Sequence, residues 1–191
     1  FGISDRMVFS APPLFHVAAA AVYKIFSLFS ISAAEFAIKL LSPLFGSLTL
    51  VFVFLIGRKL YSSRIGFFAM LFVAFLPLHI DSSVVSFVDS LATLLAAVAI
   101  YLLLSRKIFL AAAVAGLGLL AKQTMVFLLP VFFFALFMNY RNNLKIFLRK
   151  SVAAAAIIAV IGLPWLVRNY LLLGNPFWPF LYGIFGGSVV P

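Results

Sequence analysis

The chain has 191 residues, of which 66% are hydrophobic and only 9% charged, with a formal net charge of +10 and no cysteine. A soluble globular domain carries about a quarter charged residues, so that class is excluded, and without cysteine there is neither a disulfide framework nor a thiolate centre. The cations are dispersed between apolar blocks, which speaks against a nucleic-acid partner and for the cytoplasmic loops of a membrane protein. The blocks are long and show no two-residue alternation, so they predict spanning helices rather than barrel strands. The fold class expected is all-α, a polytopic integral membrane helical bundle. The chain starts at Phe1 and stops at Pro191 inside a Pro/Gly/aromatic segment, and reads as a fragment of a longer protein.

Ala11-Pro12-Pro13 breaks the backbone, because each proline fixes φ and removes a donor. Residues 14–29, with Lys24 near their end, read as an interfacial helix between that break and Ser30-Ile31-Ser32. Residues 36–57 suffice to cross a bilayer. Glu35 and Lys39 lie one turn apart at their start and can pair, and Arg58-Lys59 with Arg64 mark the other end as cytoplasmic. A return span over 65–80 ends at Pro77-Leu78-His79-Ile80-Asp81, leaving Asp81 in a loop. Residues 86–105 form the next span and end in Arg106-Lys107.

Residues 108–138 are one apolar block, interrupted only by Lys122-Gln123-Thr124 and followed by Arg141, Lys145, Arg149 and Lys150. A single crossing would put the two basic groups on opposite faces and leave Lys122 near mid-membrane, at about 2.5–3.5 kcal/mol on insertion scales. A hairpin turning near Lys122 keeps both groups cytoplasmic. Its arms are short, about 20 Å each against a core of about 30 Å, which is tolerated where a helix is buried in protein or lines a wet cavity. Residues 151–167 then cross outward. The expected organisation is an outer loop and interfacial helix over 1–33, six spans over 34–167, and an outer loop over 168–191 with the turn signal Gly174-Asn175-Pro176.

This threading sorts the charges: nine of the 14 cations fall in the inner loops, while all four acids (Asp5, Glu35, Asp81, Asp89) and both histidines (His16, His79) fall on the outer side. A site open to the outer face follows, whereas a transporter more often carries its ionisable groups at the midplane. Asp89, just inside a span, is costly unless paired or facing water; it lines a cavity or caps a helix start. Asp81 is a second candidate acid or a solvated loop residue. Lys122 at the hairpin apex can hold a lipid phosphate as a point charge or snorkel to the headgroups. Arg168, after Pro164-Trp165, contacts an anion or anchors the span end. His16 and His79 are isolated and signal no metal site. There is no Walker or Rossmann motif.

Pro12-Pro13-Leu14-Phe15, Glu35-Phe36-Ala37-Ile38-Lys39-Leu40-Leu41-Ser42, Gly57-Arg58-Lys59-Leu60-Tyr61, Leu76-Pro77 followed by Asp89-Ser90-Leu91, Gly118-Leu119-Leu120-Ala121-Lys122-Gln123-Thr124, and Pro164-Trp165-Leu166-Val167-Arg168-Asn169 with Gly174-Asn175-Pro176 occur in this order along nearly the whole chain. Together they resemble the N-terminal half of GT-C type membrane glycosyltransferases, in the protein-mannosyltransferase and aminoarabinose-transferase-like branch. The resemblance implies a GT-C-like transmembrane domain that takes a sugar from a polyprenyl- or dolichyl-phosphate carrier. Transfer would be to a protein, lipid or glycan acceptor on the extracytoplasmic or lumenal face. It implies no firm cofactor beyond this donor and leaves room for a divalent metal. It also places a first span and the acidic motif carrying the base upstream of Phe1. Relatives often have Ser-Arg shortly before the aspartate matching Asp89, where this chain has Ser83-Val84. The implied roles are Lys122 and Arg168 on the phosphate side, with Asp89, and secondarily Asp81, as the acids of the site. The competing classes are a transporter or flippase for a lipid-linked or small substrate, and a non-catalytic membrane subunit.

Overall fold

A computed structural model describes residues 12–84 and 87–187. Asp5, Arg6 and the expected span start at Ser86 lie outside them. Among the described residues all regular structure is helical, and the all-α bundle expected from composition is the architecture observed.

Helix α1 (Leu14–Phe26) follows the prolines and stops short of residue 29, where Ser27 Oγ donates back to the Lys24 carbonyl at 3.1 Å. Helix α2 (Ile31–Leu60) begins before residue 36 because Ser30 is a cap rather than a loop residue: its hydroxyl accepts from the Ala33 N–H at 3.0 Å. Glu35 and Lys39 are both exposed, and no ion pair joins them among the described residues. Arg58 and Lys59 occupy the last turn of α2, where cations meet unpaired carbonyls. A tight turn leads into α3 (Ser63–Ala74). There a Cβ added to Gly57 would lie 2.6 Å from Gly66 Cα, so only glycines allow the two backbones to come this close.

The expected return span is two helices. Pro77 opens α4 (Pro77–Val84), which is bent 64° from α3. Asp81 is therefore on a helix and not in a loop.

Helix α5 (Phe87–Leu104) runs beside α2 in the same direction. Ser90 Oγ donates to Ser42 Oγ at 3.1 Å near one end, and the Phe52 and Tyr101 rings lie 5.7 Å apart toward the other. Helix α6 (Ile108–Ala121) packs between α5 and α8 through small residues, among them Ala111, Ala112 and Ala115. It ends at Lys122, whose backbone is extended (φ −151°, ψ 133°), and a 3-10 turn over Gln123–Phe127 leads into α7 (Leu128–Tyr140). The chain thus reverses at Lys122 and returns to the end where α6 began.

Helix α8 (Leu144–Leu173) has 30 residues, about 45 Å at the helical rise. It exceeds the expected 151–167 at both ends. Asn143 caps the Ile146 N–H at 3.0 Å, so Lys145, Arg149 and Lys150 stand on the helix rather than in an inner loop. At the other end Gly174, with φ 73°, supplies the left-handed residue that stops it. Helices α6 and α8 run in the same direction, since Gly116 sits against Ile161 and Gly162 against Leu119. Arg58, Lys59, Arg106, Lys107, Lys145 and Lys150 consequently share one end of the bundle, and Asp89, Lys122 and Arg168 the other. A short α9 (Tyr182–Phe185) closes the described chain.

Ile31–Leu60, Gln123–Tyr140 and Leu144–Leu173 are long and apolar enough to cross a membrane, and α3 with α4 makes a fourth if the bent pair is one span. Phe68, Phe72, Val152 and Val160 are among many large apolar side chains facing outward, the surface of a protein whose solvent is lipid.

Candidate functional site

Asp89 lies in the first turn of α5, where a negative charge complements the helix N-terminus. Lys122 lies at the break after α6. The fold brings these two residues, far apart in sequence, into an ion pair in which Lys122 Nζ donates to Asp89 Oδ1. Their side chains keep 39% and 35% of their exposure. A pair this open adds no more than about 1 kcal/mol to stability. What it fixes is where the ammonium points.

Lys122 also lines a cavity of about 250 Å³, together with Pro12, Val88, Gln123, Thr124, Pro179 and Phe180. Pro12 precedes α1, Val88 belongs to α5, and Pro179 and Phe180 belong to the segment after α8, so separate parts of the chain meet around this one lysine. Gln123 Nε2 donates to the Trp178 carbonyl at 2.7 Å. On its other side Gln123 also borders a larger apolar cleft of about 310 Å³, lined by Leu119, Val126, Phe133, Ile158, Leu163 and Leu166 from α6, the following turn, α7 and α8.

The segment after α8 is braced from within. Asn175 is fully buried. Its Nδ2 donates to the carbonyls of Phe180 at 2.9 Å and Gly186 at 3.1 Å, while its Oδ1 accepts from the Phe177 N–H at 2.9 Å. Arg168 stands at the same end of the bundle on α8, its guanidinium 4.6 Å from the centre of the Trp165 ring and donating to Asn169 Oδ1 at 3.2 Å. It is not part of the Lys122 cavity wall. Asp81 is exposed on α4 and forms no salt bridge among the described residues. His16 is exposed on α1 and meets Phe15 edge-on. No group of three His, Asp or Glu side chains gathers among the described residues.

Of the four sequence candidates, the structure joins Asp89 and Lys122 and leaves Asp81 and Arg168 outside their cavity. Gln123 and Asn175 were not singled out. The signals that could have found them were present: a polar triplet interrupting an apolar block, and an Asn between Gly and Pro.

Residues 10–167 match the family described as dolichyl-phosphate-mannose-protein mannosyltransferase. The chain belongs to this family. No curated protein and no solved structure matches it. The matched stretch takes in Asp81, Asp89 and Lys122 and ends one residue before Arg168. The chain is thus an integral membrane protein of a glycosyltransferase family, one whose description names a dolichyl-phosphate-linked sugar donor.

Proposed function

We propose that the Lys122 cavity and the adjoining cleft bind a polyprenyl- or dolichyl-phosphate sugar, and that the sugar is transferred to a protein, lipid or glycan acceptor on the extracytoplasmic or lumenal face. One observation carries this reading: Gln123 borders both a cavity with a lysine in its wall and an apolar cleft between helices. A ligand with an anionic head and a hydrocarbon tail has the matching chemistry, with its phosphate on Lys122 and its first isoprene units in the cleft.

In the transfer, an acceptor oxygen attacks the anomeric carbon, the bond from that carbon to the phosphate oxygen breaks, and the carrier leaves as a phosphate with additional negative charge. Lys122 holds that developing charge from a fixed position, which is where an enzyme gains most from electrostatics. Asp89 orients the ammonium. Asp89 Oδ1 is engaged by the Lys122 ammonium, so we assign Asp89 to positioning Lys122 and leave deprotonation of the acceptor to a residue outside the described set. Arg168, at the same end, adds positive field and, by this reading, completes the phosphate side. The positive-inside rule supports a cytoplasmic placement of the basic end, and with it an extracytoplasmic or lumenal placement of the cavity.

In the full-length protein, Lys122→Ala should lower transfer from a polyprenyl-phosphate sugar by about 10²–10³-fold while the variant still purifies as a folded, monodisperse protein. Normal turnover in that variant would remove Lys122 from the site.

A further inference from the structure

We infer that Gln123 is a positioning residue that docks the segment 174–187 against the bundle as the outer wall of the Lys122 cavity. The inference rests on the donor-phosphate reading of that cavity for its functional meaning, and on hydrogen bonds alone for its structural part.

The orientation of the Gln123 amide is set by its partner. Nε2 donates to the Trp178 carbonyl at 2.7 Å, and the reverse assignment would set two oxygens against each other. Oε1 is buried with no hydrogen-bond partner. The amide therefore leaves its own acceptor unsatisfied and keeps its donor on the segment. Trp178 is followed directly by Pro179 and Phe180, the two residues of the segment that wall the lysine cavity. The segment is already shaped by Asn175, which gathers the Phe180 and Gly186 carbonyls and the Phe177 N–H on one side chain. It can thus be placed as a unit by a tie at Trp178, and Gln123, next to Lys122 in the chain, sets the wall and the cation in register.

The wall has a physical consequence for the lysine. Proline and phenylalanine exclude water, and attraction between an ammonium and a phosphate strengthens as water leaves. Loosening the wall should weaken the grip on the donor without altering Lys122, an effect on binding rather than on the chemical step.

The test uses the full-length protein in lipid nanodiscs. Gln123→Met keeps the length and removes the donor group. Asn175→Asp keeps the acceptor for Phe177 and removes the two donated bonds, loosening the wall from its other side and away from the bundle. Two quantities are read: KM and kcat for a polyprenyl-phosphate sugar, and the mobility of a nitroxide placed at Tyr182→Cys, an exposed position in the segment. Both variants should sharpen the nitroxide spectrum and raise the donor KM about tenfold, with kcat within about twofold of wild type. Unchanged mobility in Gln123→Met would show that Gln123 does not dock the segment. Increased mobility with an unchanged donor KM would show that the segment is not a wall of the donor site. If Gln123→Met fails to fold, Asn175→Asp decides the wall's role by the same two readouts. If wild type neither binds nor turns over the donor, the functional reading fails, and the nitroxide spectra still decide the docking.

Discussion

The two ends of the bundle both carry lysines and arginines but use them differently. At the basic end the cations lean on aromatic rings: Lys150 sits 4.5 Å from the centre of the Tyr140 ring and donates to its hydroxyl at 2.9 Å, Lys59 lies over Tyr101 at 5.9 Å, and Arg58 over Phe54 at 5.6 Å. Among the described residues no carboxylate side chain shares that end. At the other end Lys122 meets Asp89, lines a cavity and lies one residue from a tie to a distant segment. The difference is between charge held loosely at an interface, where it orients the protein in the bilayer, and charge held at one point, where it can act on a ligand.

The comparison is broken most severely by Lys122→Ala, expected to cost about 10²–10³ in turnover, the range for removing one group that stabilises a developing charge. Lys145→Ala, at the opposite end, should leave turnover unchanged, and an equal loss from both would erase the distinction. Next in size is a change that touches neither end's charges. Gly57→Val drives a side chain into the Gly66 backbone and should destabilise the fold by about 1–3 kcal/mol. Thermal denaturation in detergent would show this, while turnover per folded molecule stays near wild type. Asp89→Asn keeps the shape but removes the charge that aims Lys122. It should lower kcat/KM about tenfold, or about 1.4 kcal/mol, so a wild-type value would show that Lys122 needs no partner. The smallest effect is expected for Lys150→Ala, which loses a cation–ring contact and one hydrogen bond. This should lower stability by about 0.5–1 kcal/mol, a small shift in melting temperature with no change in donor KM.

How much of this was legible in the sequence depended on the range of the interaction involved. The existence of the helices was legible because apolar blocks are local. So was the reversal at Lys122, because positive charge at both Arg106-Lys107 and Arg141–Lys150 leaves a hairpin as the economical path. Helix ends were read less well. Residues 144–150 looked like a loop because they are charged, yet Asn143 caps them into α8, and charge does not break a helix that starts at a membrane surface. Pro77 was read as the close of a span, whereas it opens a new helix at an angle of 64°. Lys122 and Asp89 could each be singled out as ionisable groups out of place, but their pairing, like that of Gln123 with Trp178, spans dozens of residues and is created only when α5, α6 and the segment after α8 are packed. No local pattern encodes it.

The small-residue face of α6 has a consequence for how this scaffold can vary. Ala111, Ala112 and Ala115 are essentially inaccessible between neighbouring helices, so α6 acts as a thin spacer whose thickness is set by methyl groups. A larger side chain there would spread the helices on either side of it, and the apolar cleft shares its α6 and α8 walls with that spacing. The width of that cleft is therefore set in part by residues that do not line it. If the cleft holds a carrier lipid, a lineage changing that lipid has a route through those alanines that leaves every residue around Lys122 in place.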